Sequence, residues 1–218
     1  MLFKKTRLTH AVVNRQALGA ASKRRGNSLE NQTAKLLADW SGKTFRRTPA
    51  SGAWSAAEQF GVNADVISTW PEWHFIVECK FYNSPWTLEN LFTNTAKFPI
   101  WVAQAVREGQ ESKAPFLLVF RRNYVKPFVL MPFNAKATKL SQYMVANTSY
   151  TSEVTGGIET VRSITTPLET LMNEVKAEDF VKWYKDVDWE KQIKRAPKKK
   201  VKKTEVKDIL AGIDKLGL

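Results

Sequence analysis

Apolar positions recur at helical spacing through Leu29, Thr33, Leu36, Leu37 and Trp40, which predicts a helix over about 28–40. Asn27 or Ser28 suits its N-cap and Gly42 its terminator. A short helix is also expected near residues 11–21. Residues 44–48 read as a short strand, and 49–63 as a loop of small and polar residues, long enough to suggest function. Two apolar runs at 65–68 and 73–82, joined by a turn containing Trp70-Pro71, read as a hairpin. Helices are expected over 87–94 and 99–111, then strands over 116–121 and 127–132 with a turn at Asn123-Tyr124. Residues 134–165 are polar and weakly patterned, and 167–186 read as helical. A last amphipathic helix over 206–216 places Ile209, Leu210, Ile213 and Leu216 on one side. The order α-β-β-β-α-β-β predicts an α/β fold, a mixed sheet with helices on its faces. The expected organisation is a basic arm (1–25), a core (26–133), a C-terminal extension without an assigned role (134–190) and a Lys-rich tail (191–218).

Charge changes this picture. The 218 residues carry a formal net charge of +13, spread unevenly. Residues 1–25 hold seven basic side chains and no acid, and residues 191–203 hold eight, again without an acid. Two terminal blocks of one sign suit a polyanion better than a merely solubilising role. Nucleic acid is therefore the expected partner. A single cysteine, Cys79, excludes an intramolecular disulfide and fits a reducing compartment. No apolar stretch reaches membrane-spanning length and no signal-peptide core is visible, so no membrane partner is expected. The acid-free start loosely resembles a transit peptide, but a prokaryotic cytoplasmic protein, or a phage protein in its host's cytoplasm, is the preferred reading. With only His10 and His74, histidine-based metal or triad chemistry has little support.

The chemistry concentrates in the hairpin. Alternation on a strand sends Ile76, Glu78 and Lys80 to one face and Phe75, Val77 and Cys79 to the other. Pairing the two runs brings Asp65 beside Glu78, giving two carboxylates able to share a hard cation with an ammonium alongside. Glu-x-Lys itself is weak evidence, since it also occurs at Glu111/Lys113, Glu174/Lys176 and Glu205/Lys207. Only Glu78/Lys80 lies in a β-type apolar run, where charge is costly unless paired or metal-bound. A structural ion pair within the strand is the plainer alternative. Glu30 is either an ordinary first-turn glutamate or a further member of this cluster.

Arg25-Gly26-Asn27-Ser28-Leu29-Glu30, Arg47-Thr48-Pro49-Ala50-Ser51-Gly52, Asp65-Val66-Ile67 and Ile76-Val77-Glu78-Cys79-Lys80 follow one another in this order. In that order, over about residues 24–132, the chain resembles the PD-(D/E)XK nucleases, and among them the Hjc-type and RecU-type Holliday-junction resolvases. The resemblance implies a restriction-endonuclease-like core and a Mg²⁺-dependent endonuclease, with Mn²⁺ able to substitute. It implies that Asp65 and Glu78 bind the metal, Glu30 supports it directly or through water, and Lys80 positions the attacking water. Ser51 matches a loop serine near the active site, and Gln104 a polar residue facing the same pocket. Lys23, Arg24, Arg25, Arg46 and Arg47 flank these motifs and are candidate phosphate contacts. A homodimer resolving four-way DNA junctions by paired nicks is the leading expectation, because two symmetric cuts need two sites. A restriction, nicking or repair nuclease of the same fold is the alternative, and a non-catalytic DNA-binding module a third. The segment containing Trp54, Glu58 and Phe60 departs from the compact relatives; its aromatics either wedge a branch point or anchor the loop. The C-terminal helix is a candidate site for a protein partner.

Overall fold

The computed structural model describes residues 15–48, 64–82, 87–95 and 97–195. Residues 1–14 of the basic arm, the 49–63 loop with Ser51, Trp54 and Phe60, and the tail beyond residue 195 with its expected helix lie outside these residues. An eight-stranded mixed sheet carries helices on both faces, the architecture expected of a restriction-endonuclease-like core. Its strands are β1 (Phe45–Arg47), β2 (Val66–Ser68), β3 (Ile76–Phe81), β4 (Phe116–Arg121), β5 (Phe128–Pro132), β6 (Met144–Thr151), β7 (Ile158–Pro167) and β8 (Ile193–Arg195). They run in the order β1-β2-β3-β4-β5-β7-β6, and β8 pairs with the start of β7. Every neighbour is antiparallel except β3 and β4. Parallel strands need a crossover, and here it contains α2 (Asn90–Thr93) and α3 (Phe98–Glu111).

The core follows from period-2 alternation. In β4, Leu117 and Val119 face the layer holding α1 (Arg15–Ser41), α4 (Leu168–Glu174) and α5 (Ala177–Tyr184). Phe116, Leu118 and Phe120 face α3, packing with Phe98, Trp101, Val102, Ala105 and Val106. A strand covered on both faces reads as a continuous apolar run, which Phe116–Phe120 is. β3 obeys the same rule: Val77 and Cys79 join the α1 layer. Trp101 is buried against Phe98, Phe120 and Tyr82, so it belongs to the core.

Four expectations change. The helix predicted over 28–40 begins at Arg15 and runs 27 residues, through Gly26 and the expected caps Asn27 and Ser28. Gly26 lowers helix propensity by about 1 kcal/mol without breaking it, and the Ala, Lys and Arg around it are strong helix formers. The helix ends as read, at Gly42 with φ +66°, whose N–H donates to the Ala38 carbonyl. The weakly patterned 134–165 holds β6 and β7, the longest strands, whose inward positions include Thr148, Ser163 and Thr165 rather than Val or Ile. β7 pairs with β5, so the sheet is continuous past residue 133. The helix expected over 167–186 is two, broken where Val175 and Lys176 are extended and the Trp40 indole donates to the Val175 carbonyl at 2.8 Å. Of the helix expected over 87–94, only Asn90–Thr93 forms. Among the described residues no helix is long and apolar enough to cross a membrane.

Candidate active site

Asp65 stands one residue before β2. Its N–H donates to the Val77 carbonyl and its own carbonyl accepts from the Thr48 N–H, both at 2.9 Å. The hairpin ladder has its register at Val66 against Val77, and the Asp65 carboxylate then continues it by accepting the Cys79 N–H at 2.8 Å. That bond holds Asp65 across the backbone between Glu78 and Lys80. Cys79 itself points to the other face, where its buried thiol meets the Thr33 hydroxyl at 3.6 Å and burial pushes its pKa up. It is a small core residue, as its strand position suggests.

On the α3 face, Glu78 is only 4% exposed. Its Oε1 accepts from the Lys80 ammonium and from Gln104 Nε2, the latter at 2.9 Å. Gln104 Oε1 in turn accepts from Lys80 at 2.7 Å, so one amide fixes both charged groups. The same Nε2 also donates to Glu108 Oε1 at 2.9 Å. Glu108 is buried one helical turn beyond Gln104, pairs with Arg107 at 3.1 Å, and leaves Oε2 without a partner. The sequence reading omitted Glu108. Its signal was position: it lies seven residues after Trp101 and four after Gln104, on the buried stripe of α3.

Glu30 approaches from the α1 side, buried beside Leu29 and paired with Arg47 at 3.2 Å. Burial raises its pKa and the Asp65 charge adds to the effect, against the opposing pull of Arg47. Glu78 is raised well above the ordinary carboxylate range, by burial first and the Asp65 charge second, with Lys80 opposing. Burial likewise raises Glu108, while Gln104 opposes. Glu30 and Glu78, both raised in part by the Asp65 charge, are carboxylates whose crowding a cation relieves. Among the described residues no three acidic, His or Cys side chains close into a preformed cage. A pair such as Asp65 and Glu78 nevertheless suits Mg²⁺, which keeps several waters and takes further oxygens from substrate phosphate.

The expected phosphate contacts divide. Arg47 is committed to Glu30, and Arg46 beside it on β1 is exposed. Lys23, Arg24 and Arg25 lie on α1 ahead of the buried Leu29, with Lys23 and Arg24 exposed and Arg25 half-buried. Arg121, at the end of β4, donates to Gln32 on α1 and lies over the Phe81 ring at 5.0 Å. It was not among the expected residues; its register opposite Phe81 puts it on the α1 face of the sheet, across from the face of Lys80.

No curated protein and no solved structure gives a significant match to this chain. A family model described as "Phage putative PDDEXK endonuclease" matches residues 21–182, well over half of its length and across every element just described around Glu30, Asp65, Glu78, Lys80 and Gln104. The chain belongs to that phage PDDEXK endonuclease family.

Proposed function

We propose that the protein is a metal-dependent DNA endonuclease acting on branched DNA in the host cytoplasm. The observation that carries this reading is the meeting of Asp65, Glu78 and Lys80 around one hairpin, in a chain of the PDDEXK endonuclease family. Asp65 and Glu78 hold Mg²⁺, or Mn²⁺ in its place, and Glu30 supports the site directly or through water. When bound, the cation supplies positive charge against the phosphate transition state and eases the ionisation of water. Lys80, oriented by Gln104, presents its ammonium to the attacking water or the scissile phosphate. Gln104 keeps Glu78 and Lys80 in register, so neither must reorganise during the reaction. Lys23, Arg24, Arg25 and Arg46 contact flanking phosphates, and Ser51 the strand near the cut.

Within this reading, resolution of four-way junctions by a homodimer remains the favoured substrate assignment. Its support is the cationic first half of α1, where Lys23 and Arg24 are exposed, which suits a polyanion with several arms. A nicking, restriction or repair nuclease would use the same site. The test is Mg²⁺-dependent cleavage of a synthetic four-way junction beside linear duplex, flap and single strand of matched sequence. Preferential cutting of the junction is expected. Equal cutting of linear duplex removes the junction assignment and leaves the nuclease, whereas no cleavage of any DNA with Mg²⁺ or Mn²⁺ removes the nuclease.

A further inference from the structure

The turn between β4 and β5 carries an aromatic ring with no evident structural use. Tyr124 is fully exposed, at 103% of its reference area, while no other large apolar side chain among the described residues passes 63%. Its backbone is left-handed, with φ +62°. Glycine or asparagine meets that conformation without strain, and a tyrosine there is uncommon. Strain of this kind, held where the ring contributes nothing to the core, points to a use outside the fold.

Four observations say what that use is. Tyr124 is flanked in sequence by Arg121, Arg122 and Lys126, a cationic turn. The base of the turn is tied to the fold by the Val125 N–H to the Arg122 carbonyl at 3.3 Å and by Arg121 on Gln32. Lys126 pairs with Glu169 on the open surface, where such a pair is weak and readily exchanged for a phosphate. The turn also stands at the end of the sheet where β3 leaves Lys80: the Tyr82 N–H donates to the Arg121 carbonyl, and Lys80 is in register with Phe120. Tyr124 lies four residues after Phe120 and the chain turns between them, so their backbone separation is at most about 13 Å. That is on the order of four base steps along a strand.

An exposed aromatic among cations is the arrangement that stacks on nucleobases while the cations follow the backbone. A base inside an intact duplex offers no free face, so the ring engages only where a base is unpaired or a step is opened. We propose that Tyr124 is a stacking platform for a nucleobase, and that the preferred substrate has an unpaired or unstacked base within about four steps of the reacting phosphate. The location of that phosphate rests on the nuclease reading; the stacking itself does not.

The experiment compares wild type, Tyr124→Trp, Tyr124→Ala and Tyr124→Gly in EDTA on two DNAs of one sequence. One is an intact duplex and the other carries a single unpaired 2-aminopurine. Wild type and Tyr124→Trp should quench the probe, and both small variants should not. Affinity for the unpaired-base DNA should fall about 10-fold in Tyr124→Ala and Tyr124→Gly, and change less than about 2-fold on the duplex. Glycine relaxes the backbone at this position, so a loss in Tyr124→Gly cannot be laid to misfolding. Unchanged quenching in the small variants, or equal losses on both DNAs, overturns the proposal. Tyr124-dependent quenching without Mg²⁺-dependent cleavage by wild type keeps the platform and removes the nuclease; cleavage without such quenching does the reverse.

Discussion

Glu78 is buried beside the carboxylate of Asp65, and Lys80 and Gln104 hold its Oε1 there. A residue whose charge opposes its own burial is expected at a functional position. Glu78→Gln keeps the shape and removes the charge. Cleavage should fall by about 10²-fold or more, with DNA binding nearly intact and the metal-free melting temperature at pH 8 equal to or above wild type. Retained cleavage rejects Glu78 as a catalytic residue. The pH dependence has a definite sign. Glu30, Glu78 and Glu108 all titrate above the ordinary value of 4.5 in the folded chain, so folded protein holds more protons than unfolded just above that pH. Their contribution is most favourable below about pH 4.5 and is lost as pH rises through the raised folded values. Glu174, lowered by the Ser141 hydroxyl and N–H, works in the opposite direction, but it is fully exposed and its effect is screened. In EDTA the melting temperature should therefore fall between pH 5 and pH 8. Mg²⁺ should reduce that fall in wild type by binding the folded state, and should not in Asp65→Asn. An EDTA profile that rises over this range contradicts the raised carboxylates.

Elements were legible where burial is written in apolar residues. β4 could be placed to the residue and β3 to within three, because Phe116–Phe120 is an unbroken apolar run and Phe75–Cys79 is one interrupted by a single acid. The facing of Glu78 and Lys80 then followed from alternation alone. β6 and β7 were not legible, since Thr148, Ser163, Thr165 and Thr166 fill buried positions with hydroxyls that pattern reading counts as polar. Glu108 was hidden for the same reason, as a charge on a buried stripe. The start of α1 misled in the other direction, because Gly26, Asn27 and Ser28 are good start signals that neighbouring helix formers override. That has a direct consequence. A Cβ at Gly26 meets nothing closer than Glu30 Oε1 at 3.8 Å, so Gly26→Ala should stabilise the protein by up to about 1 kcal/mol in denaturant titration. A destabilisation indicates that the helix starts after Gly26. Gly109 is the contrasting case. A Cβ there would meet the Ala114 carbonyl at 2.8 Å and the Trp189 ring at 3.1 Å, where α3 closes onto the start of β4. Gly109→Ala should cost about 1–3 kcal/mol, and it should lower cleavage as well, because α3 carries Gln104.

At the scale of the whole chain, the fold and the charge do separate work. The sheet holds a small acidic site, while residues 1–25 and 191–203 carry fifteen basic side chains and no acid. A carboxylate cluster repels the polyanion it is proposed to cut, so distant cations must supply the attraction. Near the C-terminus, β8 ends at Arg195, whose guanidinium pairs with the buried Glu159 at 3.2 Å, and Lys198, Lys199, Lys200, Lys202 and Lys203 follow in sequence. Each phosphate neutralised changes the slope of log affinity against log salt by about −0.9 on duplex DNA. Replacing those five lysines by glutamine should therefore flatten the slope by up to about 4.5. Cleavage measured at saturating DNA should stay within about 2-fold, since none of the five belongs to the proposed active site and general electrostatic attraction acts on association. Polarisation titrations from 50 to about 300 mM salt, paired with single-turnover cleavage, measure both. An unchanged slope means that the lysines do not touch DNA. A slope that flattens together with a collapse of single-turnover cleavage means that they act at the cut rather than in capture, and the division of labour between tail and sheet is then lost.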